Sequence, residues 1–256
     1  MKSKRTRNRC NTSVNRGKPC SYTAWLFSYI KERGIGMDKL QQGIDRMQEQ
    51  KFEEAAKLFT DVIEENPGEP LGYINFGNLL LHMQEYERAE RFFERAISLD
   101  DTAATAYYGL GNVYYEQDSF TKAQNQFLQA IEKGLDEADV YFLLGMSLVQ
   151  QDYHKLALPY LSRAAEIDPN DVDIQFQFGL CLAQNEQFDE AERVLKALLD
   201  IVPEHADAFY NLGVICIYKE EAEAALDYFN EALKVQSDHM LAAHAKGEVE
   251  KALNGK

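Results

Sequence analysis

An all-α fold, built as a stack of helical hairpins, is predicted from three observations. A glycine recurs at Gly43, Gly77, Gly111, Gly145, Gly179 and Gly213, each 34 residues after the last, and a fixed period of this length is the signature of a repeat architecture. Twelve residues after each stands an alanine (Ala55, Ala89, Ala123, Ala157, Ala191, Ala225), and four further on a large apolar residue (Phe59, Phe93, Phe127, Leu161, Leu195, Phe229). The 256 residues hold only 6 prolines and 15 glycines, and long stretches of Ala, Leu, Glu and Gln favour helix over sheet.

Within each unit two apolar patterns at helical spacing flank a short polar stretch, such as Gln117-Asp118-Ser119, and read as helix, turn, helix. The units run 36–69, 70–103, 104–137, 138–171, 172–205 and 206–239. A glycine in mid-helix costs about 1 kcal/mol in propensity, so its recurrence implies a packing need. Glycine in the first helix facing alanine in the second is expected to let the two axes approach closely. The first unit departs most, with Lys39 and Arg46 at apolar phases, which suits an end repeat with solvent on one side. Pro67, Pro169 and Pro203 close the second helices of units one, four and five, where proline stops a helix without harming it. Units two, three and six carry Asp101, Leu135 and Ser237 there. Pro159 falls inside the second helix of unit four and is expected to kink or shorten it. The stretch Met240 to Leu253, with Gly247 at the glycine phase, reads as a last helix covering the apolar end of the stack, and 240–256 as helix plus tail.

Numbered from the first residue of each unit, position 4 reads Lys39, Tyr73, Tyr107, Tyr141, Gln175 and Phe209, and position 27 reads Val62, Ala96, Ala130, Ala164, Leu198 and Ala232. With glycine at 8, alanine at 20 and mostly phenylalanine at 24, this pattern resembles the tetratricopeptide repeat over residues 36 to 239. The resemblance implies a right-handed superhelical α-solenoid of helix-turn-helix hairpins with a C-terminal capping helix. More narrowly, the chain resembles small free-standing six-repeat proteins of Gram-positive bacteria.

The resemblance also implies that first helices line a concave face, into which positions 2, 5, 9 and 12 project. Those phases carry Leu40, Ile44 and Met47; Ile74, Asn78 and Leu81; Tyr108, Asn112 and Tyr115; Phe142, Met146 and Val149; Phe176 and Leu180; and Tyr210, Val214 and Ile217. The competing reading makes this stripe plain core. Against it, positions 4, 7, 8, 11, 20, 24 and 27 already supply a packing face, so the first helices are apolar round most of their circumference and part of the stripe is expected to stay exposed. The family's carboxylate clamp combines cations with asparagines. Asn75, Asn78 and Asn112 match its asparagine part, while Thr105, Ile74, Tyr108 and Gly109 occupy the cationic phases, so a clamp is not expected. An adaptable groove for an amphipathic helix or extended apolar peptide of a partner protein is expected instead. Asp139, Asp173 and Asp207, at position 2, read first as acids complementing helix dipoles and second as a rim for basic ligand residues. Self-association through the same stripe, giving a homo-oligomer, is the alternative.

An enzyme should show convergent groups. His82, His154, His205, His239 and His244 occur singly, with no nucleophile, metal partner or phosphate loop beside them, so neither catalysis nor a cofactor is expected. Residues 1–36 hold nine Lys or Arg against one Glu, whereas the chain as a whole carries −15 and the remainder therefore −23. A body this acidic repels phosphate backbones, which argues against nucleic acid. No pair among the 4 cysteines has metal-ligand spacing, Cys181 and Cys216 read as buried inert thiols, and a reducing cytoplasmic setting is expected. The basic leader contains Trp25 in an apolar run from Ala24 to Ile30, too short and without a cleavage site for a secretory signal. Membrane contact is expected only if this leader tethers the chain. We read Met37 as the true start, since unit one follows at once and Glu32-Arg33-Gly34 can be encoded as a purine-rich ribosome-binding stretch. Intact mass of the native protein tests this: residues 1–36 present would overturn it.

Overall fold

The structure, a computed structural model, describes residues 37–254, so the readings of the leader lie outside the described residues. These residues form thirteen α-helices and no strand: α1 (Met37–Gln48), α2 (Phe52–Glu65), α3 (Pro70–His82), α4 (Tyr86–Leu99), α5 (Ala104–Glu116), α6 (Phe120–Glu132), α7 (Ala138–Val149), α8 (His154–Ile167), α9 (Val172–Gln184), α10 (Phe188–Ile201), α11 (Ala206–Tyr218), α12 (Ala222–Val235) and α13 (Met240–Asn254). Each helix packs on the next in sequence, which makes the array an α-solenoid. First helices of neighbouring repeats also touch, at α1–α3, α3–α5 and α9–α11, and no pair of second helices touches comparably. The first helices therefore line the inside of the curve.

Each first helix stops by the same device. Gln50, Gln84, Asp118, Asp152, Glu186 and Glu220, again 34 residues apart, hold φ between 56° and 64°. Each donates its N–H to the carbonyl three residues back, and the next residue's N–H reaches the carbonyl five back, as in Gln84 to Leu81 (2.9 Å) and Glu85 to Leu80 (2.9 Å). This pair of bonds is the Schellman stop, which satisfies carbonyls that a helix end leaves open. The carbonyl of the second residue then opens the following helix, Glu85 accepting from Ala89 N–H at 2.9 Å. One left-handed residue thus both ends a helix and starts its partner, and that fixes the hairpin geometry six times over. Gly134, at φ 98°, makes the same stop after α6, in the unit whose second helix is followed by Leu135 instead of proline.

The glycine period has a packing cause that differs from the one expected. A Cβ on Gly77 would lie 2.9 Å from the ring of Phe93, one on Gly145 2.7 Å from Leu161, and one on Gly213 2.5 Å from Phe229. The glycine therefore faces the large residue sixteen positions on and not the alanine twelve on. Those alanines, though fully buried, are not the first atoms an added Cβ would meet. Pro159 does not shorten its helix: α8 keeps 14 residues, as do α2, α4, α10 and α12. Pro159 and Lys155, whose carbonyl it cannot bond, are both exposed. Lys39 and Arg46, the departures of unit one, form surface ion pairs with Glu65 (2.5 Å) and Glu49 (2.6 Å).

Candidate functional site

The stripe inherits its geometry from these hairpins. Ile44, Met47, Asn78, Leu81, Tyr108, Asn112, Tyr115, Phe142, Val149, Phe176, Leu180, Tyr210 and Val214 are half-buried, and Ile217 is exposed. Four others are closed off. Leu40, Ile74, Asn75 and Met146 are buried. Asn75 instead donates to the Leu71 carbonyl (2.8 Å). Its phase, position 6, faces the second helix of the preceding unit, since at that phase in unit three an added Cβ on Gly109 would run into the Phe93 ring. Ile74 lines a cavity of about 310 Å³ where the first turns of α3 and α5 meet the chain before α7, beside Leu71, Thr105, Leu135 and Glu137.

Charge is partitioned between the two helix sets. Helices α3, α5, α7, α9 and α11 contain no Lys or Arg, whereas the first turns of α7, α9 and α11 carry Asp139, Asp173 and Asp207. Arg163 and Lys196, on second helices, pair with Asp136 (3.1 Å) and Glu192 (2.6 Å). Partial desolvation, then the neighbouring carboxylates of Asp171, Glu137 and Asp168, push the Asp139 carboxyl up, although the residue as a whole is exposed. Burial and Asp171 push Asp173 up as well.

Two histidines that stand alone in the sequence have partners in the fold. His239 is buried, accepts the Ala242 N–H at Nδ1 (3.1 Å) and lies 3.1 Å from Asp207 Oδ1 through Nε2. Accepting at Nδ1 places the ring proton on Nε2, which donates to the carboxylate. His205 caps α11 in the same way, its Nδ1 accepting the Ala208 N–H (3.1 Å). Their 34-residue spacing was the signal in the sequence, since it places both at the residue just before a first helix.

The two described thiols are structural. Cys181 donates to the His154 carbonyl (3.4 Å), which Asn185 Nδ2 also reaches (3.2 Å), tying α9 to the start of α8. Burial pushes the Cys181 thiol up to about 11. A neutral thiol is a poor nucleophile. Iodoacetamide at about pH 8 should therefore leave Cys181 and Cys216 untouched in the folded protein and modify both after denaturation, as read by peptide mass mapping. The contribution of Cys181 to stability is full below its ordinary value of 9.0 and lost as pH rises through about 11.

Among the described residues no group of three or more His, Cys, Asp or Glu side chains could hold a metal ion, and no helix is long and apolar enough to cross a membrane. Tetratricopeptide-repeat family models match residues 71–133, 108–172, 148–212 and 206–239. The chain is similar to the crystal structure of YrrB, described as a TPR protein with an unusual peptide-binding site, at 47% identity and a TM-score of 0.73, over 75% of this chain and 99% of that one. It is similar in fold to PilF of Pseudomonas aeruginosa (16% identity, TM-score 0.69, 82% of this chain and 96% of that one). The MamA protein is likewise similar in fold (20% identity, TM-score 0.61, 64% and 90%). No curated protein sequence matches the chain. With repeat models matched along the array and a relative of 47% identity covered almost end to end, the chain belongs to the tetratricopeptide-repeat family and is a non-catalytic scaffold for protein interaction.

Proposed function

We propose that the inner wall of the solenoid is a groove that binds an apolar segment of a partner protein, as an amphipathic helix or an extended peptide. The observation that carries this is the ladder Tyr108, Phe142, Phe176 and Tyr210, one aromatic per unit at 34-residue spacing, each half-buried after the packing face is complete. Half-exposed aromatic rings lose little conformational entropy on binding and bury large areas, which is why they dominate peptide-binding surfaces. The half-buried Asn78 and Asn112 lie on the same wall and can hydrogen-bond a peptide backbone. The likeness to a protein described as having a peptide-binding site supports the same reading. We place the scaffold in the cytoplasm, where reducing conditions keep Cys181 and Cys216 as free thiols.

The test compares proteins captured from native lysate by wild type and by a Tyr108→Glu, Phe142→Glu double variant whose helicity is checked by circular dichroism. Partners bound by wild type should fall at least about tenfold on the variant, because a charge at each of two central rings removes anchors and leaves carboxylates to desolvate. Identical partners on both would move the binding surface off the inner wall. End-to-end self-association is a second reading, favoured by Met240 and Leu241, 83% and 54% exposed on the last helix. Light scattering that shows a concentration-independent monomer would remove it.

A further inference from the structure

The second helices form the outside of the curve, and at positions 16, 19 and 22 of a unit, from the entrance of that helix onward, they carry charge. Unit one has Lys51, Glu54 and Lys57 there, and unit two has Glu85, Arg88 and Arg91. Units three, five and six each keep at least one charged residue at these positions, and unit four keeps none. It reads Tyr153, Leu156 and Pro159, with Tyr153 and Leu156 53% and 59% exposed and Pro159 exposed beside them. The hairpin does not need them for its core, since the fully buried Ala157, Leu161 and Ala164 already supply the inward face of α8.

Along α8 the outward residues are ordered so that the face complements itself. Asp152, Leu156, Pro159 and Arg163 follow one another at intervals of four, three and four residues, the spacing of a seam along one side of a helix. Acid, apolar, apolar, base becomes base, apolar, apolar, acid when the direction is reversed. A two-fold axis midway between Leu156 and Pro159 therefore sets Leu156 of one copy on Pro159 of the other, and Asp152 on Arg163. Asp152, in the turn before α8, is 87% exposed and lies 4.0 Å from His154 Nε2. Arg163 bonds Asp136 through Nη2 and Glu166 through Nη1, and it still keeps 44% of its side chain exposed. Tyr153 and the half-buried Tyr160, seven residues apart, lie on one flank of the seam, where the Tyr153 of each copy comes near the level of the other's Tyr160. The same positions in unit two read Gln84, Arg88, Arg91 and Arg95, which under the same operation would set base on base.

We propose that the outward face of α8 is the contact of a two-fold dimer of this chain, in which the α8 helices of two copies lie antiparallel, outer face to outer face. The contact leaves the inner wall of both copies open, so it stands apart from the groove reading. It also differs from end-to-end association through Met240 and Leu241. One helix per copy buries less than the about 800 Å² per partner of a standard complex. The chain's net charge of −15 opposes the encounter of two copies as well. The dimer is therefore weak and reversible, and it forms at high micromolar protein in salt that screens the long-range repulsion.

Sedimentation equilibrium of the full chain, in about 0.15 M salt where the screening length is about 8 Å, measures the association. Circular dichroism establishes that each variant is folded. Wild type should show a monomer–dimer equilibrium, which Leu156→Glu weakens at least about tenfold and Met240→Glu leaves unchanged. Asp152→Lys and Arg163→Glu should each fail to dimerise alone, because the two-fold axis then sets base on base or acid on acid. An equimolar mixture of those two variants should associate again, since each copy meets the complementary charge of the other. Three results would overturn the inference: a wild-type monomer at every concentration, a dimer untouched by Leu156→Glu, or a mixture no more associated than its separate components.

Discussion

Phe93→Ala is expected to destabilise the array by about 3–5 kcal/mol, the range for emptying a buried aromatic site. Phe93 is fully buried, and its ring lies over two bare backbones at once, Gly77 of its own unit and Gly109 of the next. It therefore packs one hairpin internally and also joins that hairpin to its neighbour. Stability in a solenoid is roughly a sum of unit and interface contributions, so one side chain serving both should produce a localised failure. Hydrogen exchange should show protection lost in α3, α4 and α5 while α9 to α12 keep theirs. Uniform loss along the chain would mean that the repeats unfold as one unit and that Phe93 is not a local joint.

Gly109→Ala gives the second large effect, and its sign depends on Phe93. In an ordinary helix the substitution gains up to about 1 kcal/mol. Here the new Cβ would sit well inside van der Waals contact with the Phe93 ring, which is fully buried. A net loss of about 1–3 kcal/mol is expected, as for other overpacked cores. In the Phe93→Ala background the clash disappears and the same substitution should stabilise. Gly247→Ala is the control, since nothing lies within 4 Å of its added Cβ in mid-α13, and it should be neutral or stabilising. Urea titration of the four proteins measures the cycle. A Gly109→Ala protein as stable as wild type would show that the ring can yield, and that the glycine is not required by packing.

The two effects rest on different amounts of foresight. The spacing of Gly77 and Phe93 was visible in the sequence, because the same pair recurs six times, but its partner was misassigned to the alanine at position 20. Gly109 carried no signal, since position 6 reads Asn75 in one unit and glycine in the next, and only the approach of α5 to α4 shows what the missing side chain makes room for. The candidate groove divides similarly. Its phases were legible as a stripe, yet Ile74, Asn75 and Met146 are buried while Phe142, Phe176 and Tyr210 remain half-open. His239 looked solitary because it bonds an aspartate 32 positions earlier, Asp207, in a helix two elements back, and His205 because its ring partner, Phe176, lies comparably far back in the sequence, on the preceding inner helix.

By itself the sequence determined the period, the helical hairpin, the order of units and the family they belong to. These depend on helix periodicity and on packing residues at fixed short spacing, both of which repeat in register. The tertiary structure alone decided which stripe residues meet solvent, which glycine faces which ring, and which aspartate His239 bonds. Those properties are set by how closely one unit is laid against the next, and that distance is a joint outcome of side chains on different helices that no single stretch of chain encodes.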